Sequence, residues 1–167
     1  MNFAENIKRI IVAALVTLKS NIIRNHLSAR QEASGKTIRS LVIEETADGA
    51  MLKGRKAFAT LEDGRKPGKA PKGFNTIIMQ WIKDKGIRVT PMPYIRKPSG
   101  RWQPKYNAEQ RGLMSLAGAI AHKIKTEGTV LYKDGGRKDI FTPETDQTVK
   151  EVREELSVLF VTEIQRL

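Results

Sequence analysis

Residues 50–105 hold fourteen Lys and Arg against three Asp and Glu, a net charge of +11, and six of the chain's seven prolines. Gly54, Gly64, Gly68, Gly73, Gly86 and Gly100 fall in the same stretch. Proline interrupts both helix and ladder bonding and glycine favours turns, so this third of the chain cannot be one long regular element. It must be loop-rich and solvated, and the regular packing has to come largely from its flanks. Residues 1–49 carry +2 and residues 106–167 carry −1, so nearly all of the formal +12 of the 167-residue chain is central. That concentration favours an acidic partner: nucleic acid, an anionic surface or an acidic neighbouring subunit.

The flanks read as long helices. Phe3, Ile7, Ile11, Leu15, Leu18 and Ile22 recur at spacings of three and four, which predicts an amphipathic N-terminal helix over 1–34 ending near Ser34-Gly35. Val149, Val152, Leu156, Phe160, Ile164 and Leu167 predict a second stripe, buried, on a C-terminal helix over 142–167. Thr142 is its expected N-cap, with Pro143 in the first turn. Between them, the β-branched run Thr37–Glu45, the turn Ala47-Asp48-Gly49, and Met51–Lys56 with Ala57–Glu62 read as strands over 35–62, with Gly54 at a bend. Residues 63–105 read as basic Pro/Gly-rich loops around a short helix, Phe74–Lys85, closed by Gly86. Asn107 and Gln110 form a capping-box pattern opening a helix over 106–128 that Gly128 closes. Thr129–Tyr132 is a possible short strand, and Asp134-Gly135-Gly136 a turn. The fold class expected is α+β: one domain over 1–167, with a small antiparallel sheet packed against helices and long helices at either end.

Searching for chemistry mostly excludes it. The absence of Cys removes disulfides, thiolate metal sites and Cys nucleophiles. His26 and His122 lie outside metal-binding contexts and read as surface or helix-face residues. Gly64-Arg-Lys-Pro-Gly-Lys-Ala70 fails the phosphate-loop pattern in glycine spacing and in the Ser or Thr required after Lys. The pairs Glu44-Glu45 and Glu154-Glu155 are adjacent in sequence and do not read as a catalytic dyad, since neighbours on a strand point to opposite faces, and the sequence has no G-x-S-x-G elbow. The apolar run Ile10–Leu18 is shorter than the roughly 20 residues a spanning helix needs. It has no small-residue cleavage site after it, so neither a membrane span nor a signal peptide is expected. No cofactor, metal or catalytic residue is expected.

One ordered set of segments suggests a family. Ala57-Phe-Ala-Thr-Leu-Glu62-Asp-Gly64-Arg-Lys-Pro-Gly68-Lys-Ala-Pro71 resembles the strand-then-loop signature of tailed-bacteriophage tail-completion proteins, also called head–tail joining, neck or minor tail proteins. Upstream, Gly35-Lys-Thr-Ile38-Arg-Ser40-Leu41 is similar to the element that enters their first strand. Downstream, Ile77-Ile78-x-x-Trp81-Ile82-x-x-Lys85-Gly86-Ile87 and Ala117-x-x-Ile120-Ala121-x-Lys123-Ile124-x-x-x-Gly128-Thr129 resemble a Trp- and Lys-Gly-containing segment and the helix that follows it. The resemblance covers about residues 35–130 and departs from the pattern at Asp63 and in the long basic loop at 88–105.

The resemblance implies a non-enzymatic virion subunit forming a homo-oligomeric ring, sixfold or twelvefold. Such a ring joins the portal or connector to the tail and surrounds the DNA exit path. Assembly would take place in the host cytoplasm. The basic region then has two possible uses. It either meets the acidic last third across a subunit interface or faces DNA phosphates without sequence preference. The candidate contacts are Arg55, Lys56, Arg65, Lys66, Lys69, Lys72, Tyr94, Arg96, Lys97, Arg101 and Trp102. Phe58 and Trp81 read as core, whereas Tyr94 and Trp102, between prolines, read as interface or base-stacking residues. The alternative is a sequence-nonspecific nucleic-acid-binding protein using residues 50–105.

Overall fold

A computed structural model describes residues 3–47, 49–94 and 104–166. It is mixed helix and sheet, and where the sequence suggests one domain it groups into two compact units. Unit 1 is Met1–Asp63 with Gly135–Leu167, and unit 2 is Gly64–Asp134.

In unit 1 the long N-terminal helix α1 (Phe3–Ser28) is followed by a single helical turn, α2 (Lys36–Arg39), and a two-stranded antiparallel hairpin, β1 (Val42–Glu45) with β2 (Ala50–Lys53). The register pairs Ile43 with Leu52 and Glu45 with Ala50. One more turn, α3 (Thr60–Asp63), ends the first segment, and the chain returns as the long helix α7 (Thr142–Ile164). Their core is Leu18, Ile22, Leu41 and Ile140, with Leu52, Phe58, Leu61 and Phe141 packed around it. The Phe58 and Phe141 rings lie 5.5 Å apart. Asn21 and Asn25, one turn apart on α1, donate to the two oxygens of Glu144 on α7 at 2.8 and 3.0 Å.

Several sequence expectations are corrected here. The first helix ends at Ser28, with Arg30 in the left-handed region at φ 53°. Gly35 instead caps the start of α2, so Thr37 begins a helical turn and the strand shortens to Val42–Glu45. The second strand stops at Lys53, and Ala57–Glu62 folds as turns and α3, with Phe58, Thr60 and Leu61 each donating a backbone bond three residues back. His26 is buried, 3% exposed, in line with Leu18 and Ile22. The stripe expected to be buried on α7 is displaced: Val149, Phe160 and Ile164 are exposed, while Val152 and Leu156 are half-buried. The N-cap of α7 is Phe141, one residue earlier than expected, and Thr142 uses its hydroxyl elsewhere.

Unit 2 is built on two helices, α4 (Phe74–Asp84) and α5 (Ala108–Glu127), followed by one turn, α6 (Val130–Lys133). Its core is Ile78, Ile82, Ala117 and Ala121. Ile82 is 1% and Ala117 0% exposed; the small Ala side chains on α5 let the helices approach closely. Gly86 sits just past α4 at φ 63°, as a helix-terminating glycine does. The capping box of α5 forms as the sequence predicts: Asn107 Oδ1 accepts from Gln110 N at 2.8 Å, and Gln110 Oε1 accepts from Asn107 N at 3.1 Å. Residues 89–92 lie along the first turns of α5, with Met92 N donating to Ala108 O at 2.8 Å. A Cβ on Gly112 would come within 2.2 Å of Thr90 O, so only glycine permits this crossing. Thr129–Tyr132 is not a strand: Thr129 caps α6 by accepting from Tyr132 N.

Candidate functional site

The division into units sorts the charge. Unit 2 carries fifteen Lys and Arg against four Asp and Glu, a net +11, while unit 1 carries fifteen against fourteen, a net +1. The basic character therefore belongs to unit 2, whose described residues, 64–94 and 104–134, carry twelve Lys and Arg against four Asp and Glu.

Within that unit the loop 64–73 is fastened at several points. Arg65 N donates to Thr129 Oγ1 and Thr129 N donates to Arg65 O, both at 2.9 Å. Gly68 N donates to Lys125 O at 2.8 Å. Gly64, at φ 68°, lies so close to α6 that a Cβ would sit 2.5 Å from Tyr132 N. The Arg65 guanidinium stacks over the Phe74 ring at 5.1 Å and donates to Lys69 O at 3.0 Å. Arg65 is thus a structural fastening, half-buried, rather than a free contact. Lys66, Lys69 and Lys72 are exposed along the loop it fastens and form no ion pair among the described residues. A fixed loop presenting several ammonium groups can meet a polyanion or a carboxylate-rich surface with little further ordering cost.

The other candidate residues fall elsewhere. Arg55 and Lys56 are exposed but belong to unit 1, just after β2. Tyr94 is exposed in unit 2, with the Arg111 guanidinium 4.6 Å from its ring centre. Arg96, Lys97, Arg101 and Trp102 lie outside the described residues.

An apolar groove in unit 2 is formed by Ile77 and Trp81 of α4, Ile120 and Ile124 of α5, and Val130 and Leu131 of α6, with Lys123 and Lys133 at its edge. Trp81, expected in the core, is 38% exposed, and Val130 is 68% exposed. Phe58, by contrast, packs on the unit 1 core. The signal for the groove was present in the sequence. Phe74, Ile77, Ile78, Met79, Trp81 and Ile82 form an apolar surface wider than one buried face of an 11-residue helix uses.

Glu62, the glutamate of the Ala57–Gly64 motif, is 2% exposed and accepts at one carboxylate oxygen from the backbone N–H groups of Ile140, Phe141 and Thr142 at 2.7–3.0 Å. Its other oxygen accepts from the Thr142 hydroxyl. Burial opposes its ionisation, but the bonds from Thr142, Phe141 and Ile140 outweigh that and hold its pKa below the ordinary glutamate value. This carboxylate is consumed by the start of α7, where it also complements the helix dipole.

Among the described residues there is no cluster of three or more His, Cys, Asp or Glu placed to hold a metal, and no helix long and apolar enough to cross a membrane. Comparisons with protein-family models, curated proteins and solved structures give no significant match.

Proposed function

We propose that the chain is a non-enzymatic structural subunit of a tailed-phage virion, one copy of a ring that joins the head connector to the tail around the DNA exit path. The observation that carries this reading is the segregation of charge: one unit carries +11 and presents Lys66, Lys69 and Lys72 from a fastened loop, and the other is near neutrality. A subunit placed between other proteins and exiting DNA needs such a face, because opposite potentials set register without requiring sequence readout. The resemblance over residues 35–130 points to the same assignment by the order of its segments, while its strand at Ala57–Glu62 is replaced here by turns and α3.

The test is loss and restoration of joining. Phage grown without the chain should accumulate DNA-filled heads and separate tails, and adding purified protein to that lysate should restore joined, infectious particles. Normal joined particles in its absence overturn the proposal.

The same charge segregation supports a second reading, sequence-nonspecific binding of nucleic acid through unit 2. It predicts affinity for free duplex DNA that falls with log[salt] at a slope of about −0.9 per phosphate neutralised. A ring subunit predicts feeble binding to free DNA and no such steep dependence.

A further inference from the structure

Unit 2 is an insertion in unit 1: the chain leaves unit 1 after Asp63 and re-enters it at Gly135. The two ends of the insertion are closed on each other by its own residues. Arg65 N donates to Thr129 Oγ1 and Thr129 N donates back to Arg65 O. Gly64 lies against Tyr132 N, and Asp134 N donates to Val130 O at 3.0 Å. Unit 1 closes its own two segments with different residues. Glu62 O accepts from Arg137 N at 2.8 Å, and the Glu62 carboxylate accepts from the N–H groups of Ile140, Phe141 and Thr142. Gly136, at φ 80°, permits that approach, since a Cβ there would sit 2.8 Å from Glu62 O.

We infer that unit 2 is a self-supporting inserted module, which folds without unit 1 and stays folded when unit 1 opens. It is one continuous segment of 71 residues, a length at which single domains fold alone. It has its own core in Ile78, Ile82, Ala117 and Ala121, with Phe74 and Leu113 packed against it. Its ends are held together by the bonds just described, so no residue of unit 1 is needed to close it. Unit 1 is built differently. Glu62 must find partners 78 to 80 residues along the chain, and loop-closure entropy opposes that contact until the intervening segment is ordered. Unit 2 has no corresponding need. The loop that presents Lys66, Lys69 and Lys72 is fastened within the module, so the basic face survives opening of unit 1. This inference is independent of the ring reading.

The test uses the full chain, with hydrogen–deuterium exchange followed separately over α1 and α7 and over α4 and α5. Two single variants weaken unit 1 by different means. Glu62→Ala removes the acceptor for the start of α7, and Leu18→Ala leaves a cavity in the unit 1 core. Each should accelerate exchange in α1 and α7 at least about tenfold, while α4 and α5 stay within about twofold of wild type. A variant too weak to fold unit 1 at all should leave α1 and α7 unprotected and α4 and α5 protected, which supports the inference equally. Acceleration of α4 and α5 in step with α1 and α7 overturns it, as does loss of protection throughout the chain. Exchange unchanged over α1 and α7 in both variants overturns it too, because unit 1 would then not be closed by its own clamp and core.

Discussion

Glu62 organises unit 1 out of proportion to its size. One buried carboxylate satisfies three backbone N–H groups and a hydroxyl at the start of α7, so removing it leaves several buried donors without partners. Glu62→Ala should destabilise unit 1 by about 2–4 kcal/mol, measured by urea unfolding. Because its folded pKa is depressed, the stability it supplies is fully present above the ordinary glutamate pKa and is lost as pH falls through the lower folded value. Glu62→Gln should therefore flatten the acid limb of a stability–pH profile, and a variant with the wild-type acid limb would contradict the assignment. Gly112 is the corresponding point in unit 2: Gly112→Ala forces Cβ onto Thr90 O and should cost about 1–3 kcal/mol, read from thermal unfolding. Neither role was legible in the sequence. Glu62 meets partners nearly eighty residues away, and Gly112 looks like any helical glycine until the crossing segment is seen.

At the scale of elements, local chemistry was legible where it decides conformation by itself. The Asn107–Gln110 box, the glycine after α4 and the 20-residue α5 follow from side chains that act within one or two turns. Asn107→Ala should cost about 1 kcal/mol of unit 2 stability, measured by denaturant unfolding. The errors cluster where β-branched residues stand in short segments. Thr37, Thr60, Thr129 and Val130 favour strands by propensity, yet each falls in or beside a single helical turn: α6 is capped by the Thr129 side chain, and the Thr60 hydroxyl donates to Ala57 O at the start of α3. The displaced face of α7 has a related cause. The run Val158-Leu159-Phe160-Val161 wraps around the helix, so periodicity alone does not choose which part is buried. The contacts of Asn21 and Asn25 with Glu144 go with a different face from the one the apolar stripe suggests.

For the whole molecule, the charge asymmetry was legible from the first count, but its meaning changed once the chain folded. The basic stretch runs through residues 50–105, whereas the basic unit is Gly64–Asp134; Arg55 and Lys56 belong to unit 1, and Lys66, Lys69 and Lys72 to unit 2. Reversing those three lysines together, Lys66→Glu, Lys69→Glu and Lys72→Glu, should leave stability within about 0.5 kcal/mol per site, because all are exposed. The same variant should lower joining in the complementation assay by about tenfold or more, since it turns an attractive face repulsive. The central claim, that this chain is a junction ring subunit, is tested most directly by its copy number in purified particles, from quantitative mass spectrometry against the major capsid protein. The account predicts a low, fixed number that is a multiple of six. Absence from particles would contradict it, and the nucleic-acid reading would then take its place.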